Sequence, residues 1–152
     1  MTRIPKQFAR AGVAFKAACS GRLSRRGGTI TGIRFYKSAK NTGTHTGTLW
    51  SSAGALLATA TFTGETASGW QQVTFATPVA ITANATYVAS YHATVGHYSA
   101  DQNFFTTTGV NNLPLQALAG NNGVYIYGNG GVFPSKSYNS TNYWVDVVFQ
   151  LP

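Results

Sequence analysis

Residues 143–149, Tyr-Trp-Val-Asp-Val-Val-Phe, alternate without a break. Tyr143, Val145, Val147 and Phe149 fall on one face, and Trp144, Asp146 and Val148 on the other. A period of two is what a strand needs when one face packs on a core. Comparable runs recur near 29–36, 46–51, 55–62, 71–75, 85–92 and 123–127. They are separated by turn-forming clusters such as Asn41-Thr-Gly43, Ser52-Ala-Gly54, Ala67-Ser-Gly69, Asn121-Asn-Gly123 and Asn129-Gly-Gly131. Short strands at this spacing, with no substantial helix between them, predict an all-β chain folded as an antiparallel β-sandwich, jelly-roll or immunoglobulin-like. Ile33 with Phe35, Val73 with Phe75, and Val124 with Ile126 share faces and are expected in the core. Tyr125 and Tyr127 are then expected to face outward.

A chain of 152 residues with 43% hydrophobic residues supports one domain with a real core. Only 9% of the residues are charged, so Gly, Thr, Ser and Asn carry much of the surface. The net charge of +8 is unevenly placed. Residues 1–28 hold seven basic residues (Arg3, Lys6, Arg10, Lys16, Arg22, Arg25 and Arg26) and no acid. Residues 29–152 hold four bases (Arg34, Lys37, Lys40, Lys136) against three acids (Glu65, Asp101, Asp146), leaving +1. The chain therefore divides into a basic arm, 1–28, and a β-sandwich domain, 29–152. The arm has two readings. Ile4, Phe8, Phe15 and Cys19 line one face of a basic amphipathic helix; alternatively, residues 12–18 form the first strand, with Val13, Phe15 and Ala17 alternating.

Cys19 is the single cysteine, which excludes an intrachain disulfide. No apolar run approaches the roughly 20 residues of a membrane span, and Lys16 interrupts the one weakly apolar stretch near the start, so no signal peptide is recognisable in this chain. The segment 93–120 lacks alternation and is rich in Thr, Asn and aromatics. Loops beyond about 12–15 residues in a compact domain are usually functional or disordered, and Phe104, Phe105, Leu113, Leu115 and Leu118 predict that this one packs down.

The segments Gly28-Thr-Ile-Thr-Gly-Ile-Arg-Phe-Tyr-Lys37, Asn41-Thr-Gly-Thr-His-Thr-Gly-Thr-Leu-Trp50 and Thr66-Ala-Ser-Gly-Trp-Gln-Gln-Val-Thr-Phe75 carry a family resemblance. So do Ala85-Thr-Tyr-Val-Ala-Ser-Tyr-His-Ala93, Gly96-His-Tyr98 and Asn142-Tyr-Trp-Val-Asp-Val-Val-Phe149. Together, from about Gly28 to Phe149, they resemble the bacterial family catalogued as domain of unknown function 4082. The resemblance implies a β-sandwich module of secreted or surface-anchored bacterial proteins, placed beside immunoglobulin-like repeats, fibronectin-like repeats or carbohydrate-active enzymes. It supplies no catalytic residues. Gly12-Val-Ala-Phe15 looks like the family's opening strand, whereas Cys19-Ser-Gly-Arg-Leu-Ser-Arg-Arg26 is longer and more basic than the family's connection.

Four chemistries compete for this surface. Aromatic rings flanked by Asn, Gln, Thr and Ser can bind sugars, the ring covering a C–H face while amides and hydroxyls bond the rim. Tyr98, Tyr125, Tyr127 and Asn129 are the candidate ligand-binding residues on that reading. His45, His92, His97 and Asp101 are the alternative, a Zn²⁺ or Cu²⁺ site, although their spacing matches no ligand motif. Hydrolysis by paired carboxylates would need two of Glu65, Asp101 and Asp146 held about 5–10 Å apart, and no Gly-x-Ser-x-Gly elbow marks a serine nucleophile. Nucleic-acid binding would rest on the basic arm alone, with no recognition motif.

The sequence thus predicts a monomeric, non-catalytic accessory or adhesion module without a cofactor. It would be extracellular or at the cell surface, working beside neighbouring domains of a larger protein. Its expected partner is a polysaccharide or other surface polymer, bound weakly, with no role for nucleic acid. The alternatives are a structural spacer without ligand and a metal-dependent enzyme fragment.

Overall fold

The computed structural model describes residues 11–19, as backbone alone, and residues 27–151. Among these residues there are strands and turns and no helix. Two antiparallel sheets face one another across a single main core, so the chain is an all-β sandwich.

The smaller sheet has the order β11–β2–β5, built from β2 (Gly28–Lys37), β5 (Gly69–Ile81) and β11 (Val145–Gln150). In the larger sheet, β1 (Ala11–Cys19), β6 (Thr86–Ala93), β3 (Thr46–Ser51) and β4 (Leu56–Thr61) lie side by side. On its other side β1 pairs with two elements in succession. Ala11–Phe15 meets β9 (Gly123–Tyr127), which carries the short β10 (Lys136–Ser137), and Ala17–Cys19 meets β8 (Leu115–Ala117). β8 in turn pairs with β7 (Val110–Asn112).

Of the two readings of the arm, the strand is therefore the one found over Ala11–Cys19, and it is central rather than peripheral. Ile4 and Phe8 lie outside the described residues. The long segment 93–120 packs down through Phe105 and Leu115 and contributes β7 and β8 as a hairpin, whereas Phe104, Leu113 and Leu118, also expected to pack, are exposed.

Local chemistry explains the strand boundaries. In β2 the buried residues Ile30, Ile33 and Phe35 break the period of two. A bulge repairs the phase: Val148 pairs with Gly32 and Phe149 with Ile30, skipping Thr31, whose hydroxyl donates to the Val148 carbonyl at 3.3 Å. Gly32 lies against β5 so closely that a Cβ there would collide with the Val73 carbonyl oxygen. β11 starts at Val145, later than its alternation predicts, because Trp144 has φ 53° and its N–H is taken by the Asn142 side chain at 2.8 Å.

The core is aromatic at its centre. Phe35 stacks on Tyr91 with ring centroids 4.1 Å apart and meets Phe62 edge-on at 4.9 Å. Tyr143, Val145 and Val147 are buried beside them, as their alternation predicts, with Phe149 packed against the same core. β9 reverses expectation. Val124 is buried, but in a second cluster with Trp50, Val88 and Phe133, whereas Tyr125 packs against the main core. The alternation of β9 was legible, but not which face looks inward, because this strand has apolar packing on both sides.

Candidate functional site

The outward face of the smaller sheet carries two parallel cross-strand rows. Its residues follow from the core: with Ile33 and Phe35 pointing in, Arg34 and Tyr36 must point out, and Trp70, Gln72, Trp144 and Asp146 do the same on the neighbouring strands. Asp146 pairs with Arg34, and Arg34 with Gln72, to give a polar row. One step along the strands, Tyr36 lies opposite Trp70, and its N–H donates to the Trp144 carbonyl at 2.8 Å, which gives a row Trp144–Tyr36–Trp70. Tyr36 is 38% exposed and Trp70 48%.

Arg34, Trp70, Gln72, Trp144 and Asp146 of these rows line one bank of a groove of about 550 Å³, and Tyr36 stands outside its lining. The opposite bank is the β7–β8 hairpin with Asn112, Leu113 and Gln116, and Phe104 and Phe105 close one side. Each ring is held in place. The Trp144 indole N–H donates to Asp101 at 2.9 Å, and the Phe104 ring leans on Trp144 at 5.8 Å and 66°. Trp70 meets Tyr36 edge-on at 85°, and the Arg34 guanidinium lies 5.0 Å from the centre of its ring. Behind Trp70, the buried Gln71 side chain ties down the 66–69 turn, donating to Thr66 at 2.7 Å and to the Gly69 carbonyl at 3.0 Å. Among the described residues Asp146 is the one carboxylate lining the groove.

The residues singled out for sugar contact take other places. Tyr98, Tyr125 and Tyr127 do come together: the Tyr98 and Tyr127 hydroxyls are 3.5 Å apart, and the Tyr125 and Tyr127 rings 5.3 Å apart. This cluster is built onto the buried Tyr143, which Tyr98 meets edge-on at 5.6 Å. Burial pushes the Tyr98 phenol well above its ordinary pKa, and the Tyr127 hydroxyl adds to the effect. Tyr125 is thus half-buried on the core side rather than outward, and only Tyr127 reaches solvent substantially. Asn129 is exposed and lines a separate, smaller cleft of about 250 Å³ on the larger sheet. None of the four lines the groove between the β7–β8 hairpin and the smaller sheet.

The histidines and Asp101 have separate employments. His92 shares a 3.2 Å hydrogen bond with the Gly128 carbonyl, the His97 carbonyl accepts from Ser38, and Asp101 accepts from Trp144. Among the described residues no group of three or more His, Cys, Asp and Glu side chains gathers to hold a metal. His45 is completely buried, with Nδ1 2.8 Å from Glu65 and Nε2 2.9 Å from the Asn41 amide. Glu65 also pairs with the Lys37 ammonium at 2.8 Å.

Burial lowers the His45 pKa, against the pull of Glu65, so the ring is neutral at pH 7. Asn41 Oδ1 faces Nε2 and its Nδ2 has no partner among the described residues; a neutral ring that donates through Nδ1 must accept at Nε2, which is met by turning the Asn41 amide over. Burial opposes ionisation of Glu65, yet the hydrogen bonds and charges of Lys37 and His45 outweigh it and hold its pKa below the usual value. This network is structural glue under the turn that carries Trp70.

A family model described as Domain of unknown function (DUF4082) matches residues 9–145. The chain belongs to this family. The DUF4082 match begins before β1 and ends at the first residue of β11, so it takes in both sheets and the residues that build the groove up to Trp144. It reaches further toward the N-terminus than the motifs from Gly28 onward. No curated protein and no solved structure is significantly similar to the chain.

Proposed function

We propose that this domain is a non-catalytic accessory or adhesion module that holds a single polysaccharide chain weakly in the groove, as part of a secreted or cell-surface bacterial protein. The observation that carries this reading is the pairing of the Trp144–Tyr36–Trp70 row with the Asp146–Arg34–Gln72 row on one exposed face. Strands lie about 4.8 Å apart, so a row of three spans roughly 10 Å, on the order of two sugar units. Trp70, Trp144 and Phe104 offer apolar surface for sugar C–H faces, and Arg34, Gln72, Asn112 and Gln116 offer groups for hydroxyls. The rings are inclined to one another rather than coplanar, which suits a flexible chain gripped in a groove better than a flat crystalline surface. One carboxylate in the groove is one short of the pair that glycoside hydrolysis uses, which favours binding over cleavage.

Affinity electrophoresis through gels containing soluble polysaccharides tests the reading. At least one polymer should retard the protein, and Trp70→Ala should weaken that retardation about fivefold, the scale of one aromatic contact, at an unchanged melting temperature. If no polymer retards the protein, or Trp70→Ala and Trp144→Ala leave retardation untouched, the domain is a spacer.

A further inference from the structure

Among the described residues the groove holds two charged side chains, Arg34 and Asp146, and they are locked to one another. The Arg34 Nε and Nη2 both donate to the same oxygen, Asp146 Oδ2, at 3.0 and 2.5 Å. The other oxygen, Oδ1, accepts the Val147 backbone N–H at 2.8 Å, so the carboxylate is anchored to β11 as well as to Arg34. The guanidinium is further fixed against Trp70. Of its five N–H donors the ion pair uses two.

We infer that Asp146 is the specificity-determining residue of the groove and selects neutral glycans over acidic ones. This rests on the reading of the groove as a polysaccharide site. A neutral sugar hydroxyl can donate to the Asp146 carboxylate and accept from a remaining Arg34 N–H, making charge-assisted hydrogen bonds in both directions. A uronate or sulfate approaching Arg34 must displace an anion that is already seated there, and it meets Asp146 as a like charge.

Asp146→Asn separates the two effects. Its amide oxygen can keep the Val147 N–H bond while the negative charge on Arg34 is lost. The pair is 44% and 36% exposed, so the fold should survive with little change in melting temperature. Retardation is measured on full-length protein in gels of neutral polymers (hydroxyethyl cellulose, xylan, galactomannan) and acidic polymers (polygalacturonate, chondroitin sulfate). Wild type, Asp146→Asn, Arg34→Gln and Trp70→Ala are compared at about 50 and 300 mM salt, which shortens the screening length more than twofold.

In the wild type, the Trp70-dependent binding should be to a neutral polymer and nearly independent of salt. Asp146→Asn should shift the acidic-to-neutral affinity ratio about tenfold toward the acidic polymers, the scale of one charge-assisted hydrogen bond, and the gain should vanish at high salt. Arg34→Gln should lack that gain. Attraction of the basic arm for acidic polymers is common to all four proteins and drops out of the ratio. A ratio unchanged in Asp146→Asn, or wild-type binding that is Trp70-dependent and strongest for an acidic polymer, overturns the role of Asp146 and leaves the groove standing as a glycan site. Absence of any Trp70-dependent binding overturns both.

Discussion

At the scale of the residue, the buried His45–Glu65–Lys37 network makes the clearest demand on solution behaviour. Burial lowers the His45 pKa, and Lys37 with His45 holds that of Glu65 below its usual value. Both groups bind a proton less readily folded than unfolded. Their contribution is therefore complete above the unfolded values, 6.5 for His45 and 4.5 for Glu65, and declines as pH falls below each. Thermal stability is expected to fall in two stages on acidification, first below pH 6.5 and more steeply below 4.5. His45→Gln should start from a lower melting temperature, because a buried network loses a member, and should flatten the first stage only. A melting temperature in the native protein that is flat from pH 7 to 5 would contradict a neutral, buried His45. The residue scale is also where sequence reading failed most. His45 reads as a loop histidine, and its burial comes from Phe35 and Tyr91, which belong to different sheets.

At the scale of the element, two tests follow from how β2 and β1 are placed. Gly32 leaves no room for a side chain beside β5, whereas Gly64, at φ +66°, has nothing within 4 Å of where its Cβ would be. Gly64→Ala should cost about 1–2 kcal/mol through backbone conformation alone. Gly32→Ala should cost more, because a strand must shift, and chemical denaturation of the pair ranks them. An equal or smaller loss at Gly32 would mean that the bulge at Thr31 absorbs the methyl group.

β1 joins β6 on one side to β9 and β8 on the other. Removing residues 1–10 deletes none of these pairings, while removing 1–19 deletes them all. The shorter truncation is expected to fold, and the longer to lose cooperative unfolding in calorimetry. A folded 20–152 fragment of unchanged melting temperature would show that β1 is dispensable.

Strands 46–51 and 123–127 stand in the structure with the bounds their sequence predicts; Asn121-Asn122 and Gly128-Asn129 stop the second sharply at its ends, and the Ser52-Ala-Gly54 turn closes the first. β5 runs on to Ile81, well past the predicted end at residue 75, since the irregularity opposite Thr31 lets one strand pair twice with β2. β7 and β8 carry three residues each, too few for a periodic signal, and they exist because β1 offers an edge to pair with.

At the scale of the whole molecule, the sheets are laced by strands remote in sequence: β1 beside β9, β2 beside β11, and β3 beside β6. None of these six strands can leave without opening both the ladder and the sandwich around it. A single unfolding transition is expected, with agreeing calorimetric and van't Hoff enthalpies. With Cys19 as the lone thiol, a reducing agent should not move it. Two resolved transitions would show that the sheets fold separately.

The sequence by itself determined the all-β class, the family, most strand positions, the inward set Ile33, Phe35, Tyr143, Val145 and Val147, and the outward set Trp144 and Asp146. These are local matters, since alternation and turn chemistry are written within a few residues of each other. Only the tertiary structure decided that Trp144, Tyr36 and Trp70 form one row, that Asp146 locks Arg34, and that the 93–120 segment walls a groove. It also decided that Tyr125 turns toward the core. Register between distant strands, and the choice of inward face where both faces are apolar, are settled by which pairing buries the most surface across the whole sandwich, and no window of the chain contains that comparison.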